Sequence, residues 1–347
     1  MARRALVTAL LLALMAAFGF GVNRILAAKR SSVTAHASVA AKPTESRPVF
    51  LLPGVLFLAE HGDIYRLAGG RFTDLDLPSN GTWMQPAIIP GSTDILAVLR
   101  TAAYSDVYRV SASGSVVRQL SHNATTGRIQ LNHWMFWPRV AVDGSTVYVS
   151  YDEPKTSASY RVDFAIWQGS LGGRLATRQQ TVPFDYTGGD VSPLPLANGD
   201  ILYSKYEVSG INVFSRLALQ THALFQPVYL TAQSTDCSNP ALSPDGTQVA
   251  MVCAGGTGLQ NTRLEIATLH GATLSPPRVL VDNCLCAAPT WAPDGSGLVY
   301  YAPADSTGHF QLWWLAGAAT PAPKTPRLVT TDLDFDALSP PAWAGSP

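Results

Sequence analysis

After Val49 the chain alternates short β-rich runs with turn residues, and no segment keeps a helical period over a dozen positions. The pattern predicts an all-β domain. Within it one unit recurs: a proline, an apolar residue two positions later, an Asp-Gly or related turn, and then an apolar run. It stands as Pro240-Ala-Leu-Ser-Pro-Asp-Gly246 before 247–252, as Pro289-Thr-Trp-Ala-Pro-Asp-Gly295 before 298–301, and as Pro138-Arg-Val-Ala-Val-Asp-Gly144 before 147–151. Weaker copies start at Pro193 and Pro86. The five prolines are spaced 52, 55, 47 and 49 residues apart, room for four short strands in each interval. Four strands per repeat make one propeller blade, whose first hairpin turns at Asp-Gly because glycine tolerates the positive φ needed there.

The two ends complete the count. Runs 54–58, 63–67 and 72–75 read as the second, third and fourth strands of a blade without a first strand, whereas Pro341-Ala-Trp343 begins a first strand without the rest. The C-terminal segment is therefore expected to supply the missing inner strand, giving six blades anchored at Pro86, Pro138, Pro193, Pro240, Pro289 and Pro341. Closure of this kind leaves no interior strand unpaired.

Leu242-Ser-Pro-Asp-Gly246 and Trp291-Ala-Pro-Asp-Gly295, each followed by an apolar strand, resemble the Trp-Ser-Pro-Asp-Gly repeats of TolB-like six-bladed propellers. The resemblance covers residues 50–347. It implies a non-catalytic ring that serves as a platform for partners, although similar propellers are also appended to prolyl-oligopeptidase-type hydrolases and occur in some sugar lyases.

Residues 5–22 form an uncharged, mostly apolar run of 18, preceded by Arg3 and Arg4 and followed by Arg24, Lys29 and Arg30. That length reaches the lower limit for a membrane helix and is long for a cleaved signal. Two readings stay open: a retained signal anchor, or cleavage near Ala27-Ala28 or after the Ala-x-Ala at 35–37. Both put the domain outside the cytoplasm, anchored to the membrane or secreted. Residues 31–49 lack periodicity and read as a linker, so the chain divides into 1–30, 31–49 and 50–347. Charge adds an exclusion. The 24 basic and 24 acidic residues cancel, and a nucleic-acid binder needs a basic excess to displace counterions.

Cys237 and Cys253 are symmetric about Asp245, which sets them opposite each other across a hairpin at a separation a disulfide spans. Cys284 and Cys286 arrive by the connection crossing the same rim. The alternatives are Cys253 paired with Cys284 or Cys286, a zinc site of all four, and reduced buried thiols. Catalytic signatures are missing: there is no Gly-x-Ser-x-Gly elbow, His-Glu-x-x-His, Walker or dinucleotide motif. Histidines 61, 122, 133, 222, 270 and 309 are scattered among blades, and no cofactor or metal is expected. Asp332, Asp334 and Asp336 alternate, which reads as a solvated connection or as an oxygen-ligand cation site. The sequons at Asn80 and Asn123 carry no further signal.

Aromatic residues concentrate before the anchoring prolines: Trp83 and Met84, then His133, Trp134, Phe136 and Trp137, then Tyr186. These connections gather at one channel mouth, so the residues either pack between blades or form a binding face. The expected function is a tethered, non-catalytic scaffold for a protein partner or an envelope glycan. Its rival is an enzyme or carbohydrate binder working through a central-channel site.

Overall fold

A computed structural model describes residues 51–152, 163–255 and 262–345. The 5–22 run, both cleavage positions and the linker lie outside the described residues. Among the described residues no helix is long and apolar enough to cross a membrane.

Six antiparallel sheets follow one another along the chain. Blade 2 runs through Thr82–Ile88, Ile95–Arg100, Ser105–Val110 and Val116–Gln119, and blade 3 through Met135–Val140, Thr146–Tyr151, Ala165–Ser170 and Arg178–Gln179. Blade 4 comprises Asp190–Pro195, Ile201–Ser209, Asn212–Gln220 and Val228–Tyr229. In blade 5, Cys237–Leu242, Gln248–Ala254 and Thr262–His270 are completed by Arg278–Cys284, with Thr273–Leu274 as a small added hairpin. Blade 6 holds Ala287–Trp291, Gly297–Pro303, Phe310–Ala316 and Arg327–Leu328. The first strand of each blade touches the first strand of the next all the way round, which makes a closed six-bladed propeller.

Blade 1 is assembled from both ends, as the repeat predicts. Ala342–Ala344 is its inner strand and pairs antiparallel with Val55–Glu60, with Leu56 opposite Trp343; Asp63–Ala68 and Arg71–Asp74 follow. Gly54 permits this approach, because a Cβ there would lie 2.1 Å from the Ala344 carbonyl oxygen. Trp343 donates its indole N–H to Pro53 O at 2.6 Å and meets Trp314 edge-on at 5.7 Å. Upstream, Phe335 stacks on Tyr301 at 5.0 Å, and the Asp336 amide donates to Ala59 O. The Asp332–Asp336 carboxylates serve local donors: Asp334 accepts from the Phe310 amide, Asp336 from the Leu338 amide, and Asp332 from the Thr331 hydroxyl.

The core lies between blades rather than in one centre. One buried cluster joins Phe57 and Ala59 to blade 2 and on to Val147 and Val149, another joins Ala241 and Val252 to Trp291 and Tyr300, and a third joins Leu56 and Leu58 to Val299 and Tyr301. Each large side chain so buried contributes about 1.5–3 kcal/mol.

Cys237 and Cys253 stand in register on the two innermost strands of blade 5 and are joined by a disulfide, with Cα atoms 4.0 Å apart. A second bridge joins Cys284 to Cys286. With sulfurs bonded in pairs, the cysteines form neither the cross-paired scheme nor a thiolate zinc site.

The Asp-Gly turns show why that dipeptide recurs. In all three strong copies only the glycine has positive φ, 69° at Gly144, 73° at Gly246 and 70° at Gly295, so each hairpin is a tight turn closed by a left-handed glycine. The aspartate works through its side chain. Asp143 accepts from the Ser145 and Thr146 amides at 2.8 Å, Asp245 from the Thr247 amide and Asp294 from the Ser296 amide.

These donors hold the three carboxyls below their ordinary value of 3.8, led by the Thr146 hydroxyl, which brings Asp143 to about 2, the Ser243 hydroxyl at Asp245 and the Ser296 hydroxyl at Asp294. The folded state keeps them ionised to lower pH than the unfolded chain does. Their stabilisation is therefore complete above the ordinary carboxylate range and is lost as pH falls through it toward 2. Thermal melts of the triple variant Asp143→Asn, Asp245→Asn, Asp294→Asn should show a shallower fall in Tm across that acidic window than wild type; equal slopes would contradict the assignment.

Candidate functional site

Five of the anchoring prolines, Pro86, Pro138, Pro193, Pro240 and Pro289, sit inside their inner strands, whereas Pro341 immediately precedes Ala342–Ala344. At each of five, the register slips by one residue, and the residue before proline is left-handed: Gln85 (φ 50°), Trp137 (48°), Ser192 (56°), Asn239 (53°) and Ala288 (50°). Inner strands are sheet edges, and a bulge is where an edge strand tolerates a residue with no N–H to donate. The bulge also frees the preceding amide, and at three of the five that amide meets a side chain of the neighbouring blade or of the closing C-terminal segment. Gln85 N–H donates to Ser339 Oγ at 2.6 Å, Trp137 N–H to Gln85 Oε1 at 2.7 Å, and Asn239 N–H to Ser204 Oγ at 3.2 Å. Gln85 Nε2 donates in turn to Leu338 O at 3.2 Å.

These bulges divide each inner strand, and with it the channel, into two mouths. At the mouth before the prolines, the aromatic residues split into two sets. Trp83 and Met84 are buried, with the Trp83 indole N–H on Pro78 O and its ring against Tyr108, so they serve packing and not the surface. Trp134, Phe136 and Trp137 are half-buried and join Phe164, which lies outside the aromatic runs before the prolines. Trp134 and Phe136 stack at 6.1 Å, Phe136 and Phe164 meet edge-on at 5.6 Å, and Trp137 and Phe164 at 6.1 Å.

The support beneath this cluster is polar. Buried Asp152 accepts from the Trp134 amide at 2.9 Å and contacts His133 Nδ1 at 3.0 Å, while Ser105 on blade 2 donates to Met135 O and accepts from its amide. Next to Phe164, Asp163 accepts the Tyr186 and Thr187 amides and fixes the loop on which Tyr186 is 80% exposed. Phe184, also exposed, lies 5.2 Å from the Lys205 ammonium. Lys205 pairs with Asp190 at 3.0 Å in the interior, where burial outweighs the pull of Lys205 and raises the Asp190 carboxyl to about 6.

At the other mouth, the residues after the prolines and the hairpin turns enclose about 650 Å³ lined by prolines, aliphatic side chains, Trp291, Trp343, Thr290 and Arg139. Histidine and carboxylate are missing from this lining. Among the described residues no group of three or more His, Cys, Asp or Glu side chains is placed to hold a metal ion.

These features define a six-bladed β-propeller with one aromatic and one proline-lined mouth. Solved structures share the fold. TolB from Acinetobacter baumannii is similar with a TM-score of 0.60 at 14% identity, over 84% of this chain and 66% of that one; the chain thus spans just under two thirds of it. A putative TolB from Agrobacterium tumefaciens gives 0.56 at 13% identity over 83% and 93%, and a chain of a nidogen/laminin complex gives 0.57 at 13% over 83% and 97%. No protein-family model matches the chain, and no curated protein matches it by sequence.

Gln85 bridges three consecutive elements of the ring, and its loss is measurable. Gln85→Leu removes the partners of the part-buried Trp137 amide and Leu338 carbonyl, so urea unfolding should show a loss of about 1–3 kcal/mol in all, the scale of two ordinary hydrogen bonds. An unchanged midpoint would show that the bulge amides are not held in this way.

Proposed function

We propose that the protein is a non-catalytic scaffold outside the cytoplasm, held at the membrane by the 5–22 segment, and that its aromatic mouth receives a protein partner. The observation that carries the reading is the partly exposed group of Trp134, Phe136, Trp137 and Phe164 continued by exposed Tyr186, on a frame fixed by Asp152 and Asp163. Rigid aromatic side chains lose little entropy on binding and are the usual energetic centres of protein interfaces. The Cys237–Cys253 bridge favours an oxidising compartment. The likeness to a chain of a nidogen/laminin complex is compatible with a ring that assembles with other proteins.

Immobilised full chain should capture a discrete protein from membrane extract. The double variant Trp134→Ala, Tyr186→Ala should reduce that capture about tenfold or more, the scale of a lost hot spot. Val142→Ser, at the exposed turn of the opposite mouth, should leave it unchanged. Matching unfolding midpoints exclude misfolding as the cause. Equal capture by the double variant, or recovery of polysaccharide alone, would overturn the reading.

A further inference from the structure

We propose that the proline-lined mouth is a second binding site, which takes the apolar C-terminus of a peptide chain and holds its carboxylate on Arg139. Of the side chains lining this cavity, Arg139 alone carries a charge. Its position is singular within the repeat as well: the residue after the anchoring proline is Ala87, Leu194, Ala241, Thr290 or Ala342 in the other five blades.

Arg139 is not neutralised by its surroundings. Among the described residues no carboxylate pairs with it. Its guanidinium makes two long hydrogen bonds from Nη1, to Pro86 O at 3.4 Å and Pro138 O at 3.3 Å, which leave Nε and Nη2 without a protein hydrogen-bond partner among the described residues. Protein surrounds the guanidinium although water reaches it through the cavity, and this desolvation lowers it to about 10, so it stays charged at neutral pH. A cation placed among apolar walls without a counter-charge is costly unless a ligand supplies one. The planar fork of arginine matches a carboxylate in two-point geometry, and a single carboxylate on an apolar body costs less to desolvate than a phosphate would.

Size and wall chemistry define the rest of the occupant. A volume of about 650 Å³ is that of a small-ligand pocket, room for a few side chains. Its prolines, Trp291 and Trp343 offer rigid apolar contact. The inner strands present their unpaired edges to the channel, so backbone N–H and C=O groups are available to the amides of an entering peptide. A fatty acid could use Arg139 but not those edges. This site is independent of the aromatic mouth, since the two lie at opposite ends of the inner strands.

Calorimetric titration of the full chain with N-acetyl-Leu-Phe, as free acid and as carboxamide, tests the proposal. The acid should bind about tenfold or more tightly than the amide, a difference in the range of a charge-assisted hydrogen bond. Arg139→Met should abolish that preference and Arg139→Lys should retain part of it. The wild-type comparison of acid with amide stands even if a variant fails to fold. Equal affinity for the two forms, no binding of either, or an acid preference that survives in Arg139→Met would each overturn the assignment. Failure here would leave the partner-binding reading of the aromatic mouth untouched.

Discussion

The pairing of Ala342–Ala344 with Val55–Phe57 is the contact on which the rest of the ring depends. Three residues of ladder are a small interaction by themselves, yet they join chain segments almost three hundred positions apart and convert an open row of sheets into a circle. Without them, Val55–Glu60 would have an open edge, and the faces of blades 6 and 1, which bury Leu56, Tyr301, Trp314 and Phe335, would lose their common wall. Trp343 combines the hydrophobic and directional parts of this closure, with its ring against Trp314 and its N–H on Pro53.

The same closing segment reaches into the channel. Ser339 accepts the Gln85 amide and Leu338 accepts from the Gln85 side chain, whose oxygen then takes the Trp137 amide. A line of hydrogen bonds therefore runs from the C-terminal segment through blade 2 into the backbone of the aromatic mouth on blade 3. It links strand exchange to the placement of Trp137, which stands beside Phe136 and Phe164. Proline and bulge act together here: five inner edges are bent and interrupted, which protects them from pairing with one another, and each freed amide that has a side-chain partner finds it on an adjacent blade or on the closing segment.

Much of this architecture can be read in the chain. Recurrent proline and Asp-Gly positions reveal the blades because both residues have backbone requirements that survive when the strands around them vary, and the incomplete ends reveal how the ring closes. Cys237 and Cys253 form the pair that hairpin symmetry about Asp245 favours over the alternatives. The left-handed residues before the prolines are not legible, since Gln, Trp, Ser, Asn and Ala share no side-chain property; their conformation goes with the one-residue register slip at each bulge. Burial of Trp83 against exposure of Tyr186 is equally invisible, because both lie in aromatic connections and differ only in what the next blade places over them. Phe164 escapes notice for the same reason. Arg139 is visible as the one charge at its repeat position, but its meaning needs the cavity.

The closure is tested most directly by equilibrium unfolding of a chain that ends at Ala337, compared with the full chain. That truncation removes the Trp343 anchor, whose loss alone is on the scale of about 3–5 kcal/mol for a buried aromatic, together with the inner strand of blade 1 and the Ser339 acceptor for Gln85. The account predicts a large drop in midpoint, with blade 1 unfolding before the remaining blades and the single cooperative transition broken. A truncated chain that keeps the same midpoint and one transition would show that the ring does not depend on strand exchange.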